Sequence, residues 1–296
     1  MVIKNRSKLC LCISGAIIAI ALILTIFGHG INLGIDFEGG LSMQYSLGQT
    51  ADKNDVEAVL NGMNIGSYTI TVQGANNDEI NIRIKDVSKE DIQKVQETFE
   101  QGVKEKYPNA VSIGDVNYVG PVAGATLVKN AVISVLLAAA LMLIYIAIRF
   151  DFNSGISAVF GLLHDVLIML SFMVIFRSFI QMNSSFIAAA LTIVGYSINN
   201  TIVIFDRIRE NARKMPTVAR EEVTNISIRE SLGRTVCTTI TTLITIVALC
   251  ILGVASIREF ALPIIVGILS GVYSANMING YVWAFLEEKR RAKKKA

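Results

Sequence analysis

Six stretches of the 296-residue chain are apolar for about the length of a membrane crossing: 9–27, 128–148, 156–176, 184–205, 235–254 and 261–285. A hydrocarbon core about 30 Å thick needs roughly 20 consecutive apolar residues in a helix. Lipid offers no partner for a bare amide or carbonyl, so each stretch is expected to be helical. The hydrophobic pattern therefore predicts six transmembrane helices.

Between the first and second stretches the pattern changes to the short periods of a water-soluble domain. "GGLSMQYSL" alternates as a strand does, whereas "TADKNDVEAVLNGM" opens on a capping Thr or Asp and places Val56, Val59, Leu60 and Met63 on one helical face. "YTITVQGANNDEINIRIKD" is two alternating runs around a Gly/Asn-rich turn, which reads as a hairpin. "SKEDIQKVQETFEQGVKEKY" begins on a capping Ser and repeats Ile92, Val95, Phe99 and Val103 at helical intervals up to Pro108, and "AVSIGDVNYVG" is a last strand. The order β-α-β-β-α-β is the split βαβ, or ferredoxin-like, arrangement. The predicted fold class is a six-span α-helical membrane bundle carrying one such α+β domain.

Composition agrees, with 52% hydrophobic and 17% charged residues, outside the range of an ordinary soluble domain. Lys4, Arg6 and Lys8 before the first span resemble the start of a signal peptide. Its apolar run is longer than a usual h-region, however, and no Ala-x-Ala precedes Gly28, so an uncleaved anchor is expected. Positive charge decides orientation: Lys and Arg number 3 before the first span, 1 (Arg149) between the second and third, 7 from Arg207 to Arg234 and 6 from Lys289 onward, against Arg177 and Arg258 in the two short opposite loops. The positive-inside rule then puts both termini in the cytoplasm and the α+β domain outside. The expected organisation is a cytoplasmic N-terminus and first span (1–27), an extracytoplasmic domain (28–127), a five-helix bundle (128–286) with a charged cytoplasmic linker of interfacial helices (206–234), and a basic tail (287–296). A basic tail just after a span fits anionic lipid rather than nucleic acid.

Cys10, Cys12, Cys237 and Cys250 lie in or beside spans, which implies no disulfide framework, and two histidines do not make a His-rich metal site. The outer domain shows no nucleophile with a base and no glycine-rich phosphate loop, so a binding or gating module rather than an enzyme is expected.

Polar groups inside the spans are the candidates for function, because a charge near the bilayer centre costs about 2.5–3.5 kcal/mol to insert. His164 and Asp165 stand together in the third span, as a proton or cation relay or as a structural polar contact. Ser197, Asn199 and Asn200 follow Gly195 in the fourth; an amide bonds across helices or ligates a hard cation such as Na⁺, but does not titrate as a carboxylate does. Arg234 opens the fifth span, where Thr238, Thr242 and Thr245 mark one polar face suited to helix contacts or to a hydrated path. Gly267, Gly271 and Ser274 in the sixth suit close packing.

Five segments, "GIDFEGG", "VGPVAGATLVKNAV", "RFDFNSGISAVFGLLHDV", "LTIVGYSINNTIVIFDRIREN" and "ESLGRTVCTTITTL", occur in the order and positions of the SecF family, and the chain resembles that family over essentially its whole length. The resemblance implies a six-span half of a resistance-nodulation-division type transporter in the bacterial cytoplasmic membrane, paired with a SecD-like subunit. Such complexes use an ion gradient to pull or release secreted polypeptides beyond the SecYEG channel, without a nucleotide or organic cofactor. The family pattern reads Asn-Asp before "TIV", the Asp being its proton carrier, whereas this chain has Asn199 and Asn200; the family's fifth-span Arg aligns with Arg234. Three accounts follow from the departure: the partner's acid carries the proton alone, Asn200 helps ligate Na⁺, or Asp165 substitutes. The rival functions are a half-size exporter of small molecules or lipids and a non-transporting scaffold of a membrane complex.

Overall fold

The structure, a computed structural model, describes residues 3–295 other than 64, 75, 86, 115, 179 and 254. Ala75 of the predicted hairpin turn, Asp86 at the hairpin's end, Asp115 of the predicted last strand, Val254 closing the fifth predicted span and Ala296 of the tail thus lie outside the described residues.

In chain order, α1 (Ile3–Ile26) is followed by α2 (Ile35–Glu38), β1 (Gly40–Ser46), α3 (Lys53–Gly62), β2 (Tyr68–Gln73), β3 (Glu79–Ile84), α4 (Ile92–Lys106), β4 (Val111–Ser112) and β5 (Asn117–Val119). Then come α5 (Pro121–Arg149), α6 (Phe152–Ile175), α7 (Ser184–Lys214), α8 (Arg220–Leu252), α9 (Ala255–Ser274), a π-helical turn (Ala275–Asn279) and α10 (Gly280–Lys295). Among the described residues six helical segments are long and apolar enough to cross a membrane, and each carries the greater part of one predicted stretch. The chain divides into two compact units, one of residues 1–31, 133–177 and 185–296, the other of 32–132 with 178–184.

In the helical unit, Ile198, Ile204, Phe205, Ile208, Ala275 and Trp283 belong to one buried cluster. Leu136 and Ile148 of α5 and Ile251 of α8 stay exposed, as lipid-facing positions do. The charged segment 206–234, expected as interfacial helices, is instead the last turns of α7 and the first of α8, separated by residues 215–219. Its opposite charges meet at helical spacing and between the two helices: Arg207 pairs with Glu210 at 2.6 Å and Glu230 at 2.7 Å, and Asn211 Nδ2 donates to Glu230 at 2.7 Å.

In the other unit β1 lies inside an antiparallel sheet of order β2-β3-β1-β4, with β5 also on β1. Alternation puts Leu41, Met43 and Tyr45 of β1 in a core with Leu60 of α3 and Phe99 of α4, the Tyr45 and Phe99 ring centroids being 5.3 Å apart. Asp52 caps α3 by accepting from Asn54 N at 2.9 Å. The predicted Ser88 cap of α4 is not made: the Ser88 hydroxyl donates to the Asp91 carboxylate at 2.7 Å within a turn, and the helix starts only at Ile92. The predicted last strand is two short ones, because Gly114 adopts φ +89° and takes the chain out of extended geometry between them.

One feature of this unit has no counterpart in the sequence pattern. Met182 forms a parallel bridge with Leu33, through Gly34 N to Met182 O at 2.7 Å and Met182 N to Asn32 O at 2.8 Å. Gln181 Nε2 donates to Thr71 Oγ1 at 3.2 Å, and Ser184 N to Asp36 Oδ2 at 2.7 Å. The connection between the third and fourth spans is thereby strapped to the sheet.

Lys106, at the end of α4, pairs with Asp55 of α3 at 2.6 Å. The Lys106 ammonium holds the Asp55 carboxyl below the ordinary aspartate value of 3.8, with a smaller contribution from the Tyr107 hydroxyl. A depressed acid stabilises the folded state above its unfolded value and loses that contribution as pH falls through its folded value. Asp55 is therefore expected to inflect below 3.8 in a carboxyl NMR titration, and Lys106→Ala to return it toward that value.

Candidate functional site

Asp165, on α6, is completely buried, and its carboxylate collects four polar partners. Ser270 Oγ donates to Oδ1 at 2.7 Å, and His164 Nδ1 lies 2.9 Å from the same oxygen. Oδ2 accepts from Ser274 Oγ at 2.9 Å and from the Ser197 hydroxyl. His164 Nε2 is in turn 2.7 Å from Ser14 Oγ on α1, and the His164 ring stacks on Tyr273, whose hydroxyl donates to Cys10 O at 2.8 Å. One carboxylate thus ties α6 to α7 and α9 directly and to α1 through its histidine neighbour.

Helical geometry explains how so few residues do this. Ser270 and Ser274 are one turn apart and share a face of α9, with Gly271 beside them. A Cβ on Gly271 would stand 3.3 Å from Ser197 Cα, so the absent side chain is what brings α7 close enough for the Ser197 hydroxyl to reach Asp165. Charge-assisted hydrogen bonds contribute about 1.5–3 kcal/mol each, so four of them offset a buried charge that insertion penalises by about 2.5–3.5 kcal/mol. His164 is the group of opposite potential charge that pairs with Asp165 among the described residues. With its proton on Nδ1, His164 donates to Asp165 and accepts from Ser14.

Asn200 is also buried, one turn from Ser197 on α7, and its Nδ2 has no hydrogen-bond partner among the described residues. Next to it Thr201 Oγ1 accepts from Asn279 Nδ2 at 2.9 Å, while Asn279 Oδ1 is without a partner among the described residues. Asn279 closes the π-helical turn that begins just after Ser274. A turn of this kind frequently marks a functional position in a helix.

Of the residues singled out in the sequence, His164, Asp165 and Ser197 are brought together, with Asn200 on the same buried face of α7. Asn199 is exposed and stands apart from them. Arg234 is also exposed, with no ion-pair partner among the described residues. Thr238 and Thr242 gather instead at the Tyr196 hydroxyl, which donates to Thr238 O at 3.1 Å and lies 3.4 Å from Thr242 Oγ1; Thr245 returns its hydroxyl to its own helix at Thr242 O, 2.8 Å away. Ser274 serves the carboxylate as well as close packing. Ser14 and Ser270 were not singled out; for Ser270, the spacing Gly267, Ser270, Gly271, Ser274 was a readable small-residue face.

Comparisons with known proteins agree with this architecture. Residues 98–289 match the family described as protein export membrane protein SecD/SecF, C-terminal, and residues 25–51 the SecD/SecF GG motif. The protein translocase subunit SecF of Rickettsia bellii (strain OSU 85-389) is 36% identical over 259 residues, covering 88% of this chain and 84% of the relative. Its namesake in Rickettsia prowazekii (strain Madrid E) is 33% identical over 278 residues, covering 94% and 88%. The crystal structure of SecDF from Thermus thermophilus, a translocon-associated membrane protein, superposes with a TM-score of 0.83 at 30% identity, over 96% of this chain and 38% of that one. A super-membrane-facing form of SecDF gives 0.69 at 29% identity, over 100% and 40%. This chain thus spans well under half of either SecDF chain. With a family match over most of its length and relatives alike almost end to end, the chain belongs to the SecD/SecF family of protein-export membrane proteins.

Proposed function

We propose that the chain works as the SecF-type subunit of a SecDF complex and uses a cation gradient to drive export and release of secreted polypeptides at the SecYEG channel. In this reading it lies in the bacterial cytoplasmic membrane with both termini and the charged ends of α7, α8 and α10 in the cytoplasm. Residues 28–127 are the outer domain, and the strand order β2-β3-β1-β4 with two helices on one face supports its ferredoxin-like class. A SecD-like subunit meets the face of α8 that carries Arg234, Thr238 and Thr245, which is open in the single chain.

One observation carries the coupling: Asp165 is a fully buried carboxylate that accepts from three serine hydroxyls on two neighbouring spans, α7 and α9. Asparagine at position 200 neither takes up nor releases a proton in the physiological range, so in this reading the His164–Asp165 pair is the ion-responsive group of the bundle. Serine hydroxyls beside a carboxylate suit either a proton or Na⁺, a hard cation that prefers oxygen. Uptake of the cation at Asp165 loosens the serine contacts that hold α7 and α9 to α6, and α6 and α7 continue directly into the strap at 178–184.

Proteoliposomes holding the chain, its SecD partner and the channel are expected to release precursor faster under an imposed proton or Na⁺ gradient and to lose the gain when that gradient is collapsed. Indifference to both gradients in an intact complex would leave only the scaffold reading.

A further inference from the structure

At the charged end of the helical unit, where α6 begins, α7 ends, α8 begins and α10 runs past, lies a cleft of about 180 Å³. Arg209, Arg213, Arg220, Arg290 and Trp283 line it. The acids at its edge are already engaged: Asp151 accepts from the Ser154 hydroxyl at 2.6 Å, and Glu287 accepts from Asn153 at 2.8 Å and from Arg290 at 2.7 Å. Four guanidiniums against two carboxylates leave an excess of positive charge.

Two buried donors in this lining have no partner. Arg220 is 6% exposed, and although its Nη1 donates to Ala212 O at 3.3 Å, its Nε has no acceptor among the described residues. Trp283 is 5% exposed, and its Nε1 is likewise without one. Guanidinium and indole N–H groups donate and never accept, so what satisfies both has to bring acceptor oxygens. Arg213, exposed at the mouth, has no ion-pair partner among the described residues and supplies a free charge. A second cleft, formed by the 216–219 turn with Glu288 and Arg291, shares Arg220 and extends the space outward.

We propose that this cleft binds a phosphate-bearing anion, presented either by the headgroup of an acidic phospholipid or as inorganic phosphate. The oxygens of the phosphate accept from Arg220 and Trp283, and Arg213 and Arg209 close on its charge, since guanidinium forks match phosphate geometry. Basic pockets between helices at the membrane boundary are a recurrent way of holding acidic headgroups. The anion would pin the starts of α6 and α8 to the end of α7, the elements that carry the Asp165 cluster and Asn200 further along. Binding of the anion in this cleft is independent of any ion coupling at Asp165.

Trp283 is the only tryptophan of the chain, so its emission reports the cleft directly. The delipidated full chain in dodecyl maltoside is titrated separately with phosphatidylglycerol, phosphatidylcholine and inorganic phosphate. A saturable change with phosphatidylglycerol or with phosphate, at least tenfold tighter than with phosphatidylcholine, is expected, and whichever of the two binds tighter identifies the source. Arg213→Gln is expected to weaken that binding about tenfold, the effect of one charge-assisted contact. Arg229→Gln, which removes an exposed charge outside the cleft, is expected to leave it unchanged. Equal responses to phosphatidylglycerol and phosphatidylcholine without any to phosphate, or equal losses in the two variants, would overturn the proposal.

Discussion

Asp165→Asn is expected to abolish gradient-driven export while the chain still folds and assembles. Asparagine matches aspartate in size and still accepts from Ser197, Ser270 or Ser274, so the contacts among α6, α7 and α9 have a neutral substitute. What disappears is the charge that a cation neutralises. Moving one elementary charge across 100 mV supplies about 2.3 kcal/mol, which corresponds to roughly a fortyfold bias between two conformations. Losing it should reduce the stimulation of export by the gradient about that much, with the basal, gradient-free rate retained. Precursor release in proteoliposomes with and without an imposed gradient reads the ratio, and co-purification of the SecD partner reads assembly. Undiminished stimulation in the variant would move coupling away from this carboxylate altogether. Ser274→Ala, which removes one of four donors and leaves the charge, should fall between the variant and the parent.

Gly40→Ala is expected to destabilise the α/β unit by about 2–6 kcal/mol, from backbone strain and overpacking together. Gly40 adopts φ +125°, and a Cβ there would stand 2.4 Å from the carbonyl oxygen of Ile84. That carbonyl belongs to β3, whose register with β1 pairs Leu41 with Ile84, so the clash is with backbone that has nowhere to move. A loss of this size is a large part of the 5–15 kcal/mol that holds a typical domain together. Urea unfolding and limited proteolysis of residues 32–132 should both report it. Gly62→Ala, with nothing within 4 Å of the new methyl, serves as the control and should leave stability unchanged or slightly raised.

Asp165 and His164 stood out in the sequence because charge inside an apolar run is costly and therefore rare. Of their serine partners, Ser197 and Ser274 stood out as polar or small positions, but Ser14 and Ser270 did not. A hydroxyl in a membrane helix ordinarily returns to its own backbone, as Ser171 does to Leu167 O at 2.7 Å and Thr241 to Cys237 O at 3.1 Å. Nothing in the local pattern distinguishes those from Ser14, which reaches across to another helix, and for Ser270 the small-residue face it shares with Gly267, Gly271 and Ser274 marks close packing without naming the partner. The threonine stripe of α8 was legible as a stripe, but the hydroxyls of Thr238, Thr242 and Thr245 all return to carbonyls of their own helix, and the Tyr196 hydroxyl meets the stripe at Thr238 O and Thr242 Oγ1. Arg234 and Asn199 are open in the single chain, so local polarity announced polar groups without telling which of them meet.

By itself the sequence determined the six apolar spans, because lipid permits little other than a helix of that length, and most elements of the α/β unit, because periods of 2 and 3.6 residues separate strand from helix; the short α2 and the break of the last strand at Gly114 it did not announce. It also determined that position 200 holds an amide where the resembling family holds an acid. Only the tertiary structure decided that Asp165 gathers hydroxyls from α7 and α9, that the 178–184 connection pairs with Leu33, and that Arg220 and Trp283, each with an unsatisfied donor, line one cleft. The physical reason is distance along the chain: periodicity reports which face of an element is buried, whereas the partners on that face come from segments about 30 to 150 residues away, and packing alone selects them.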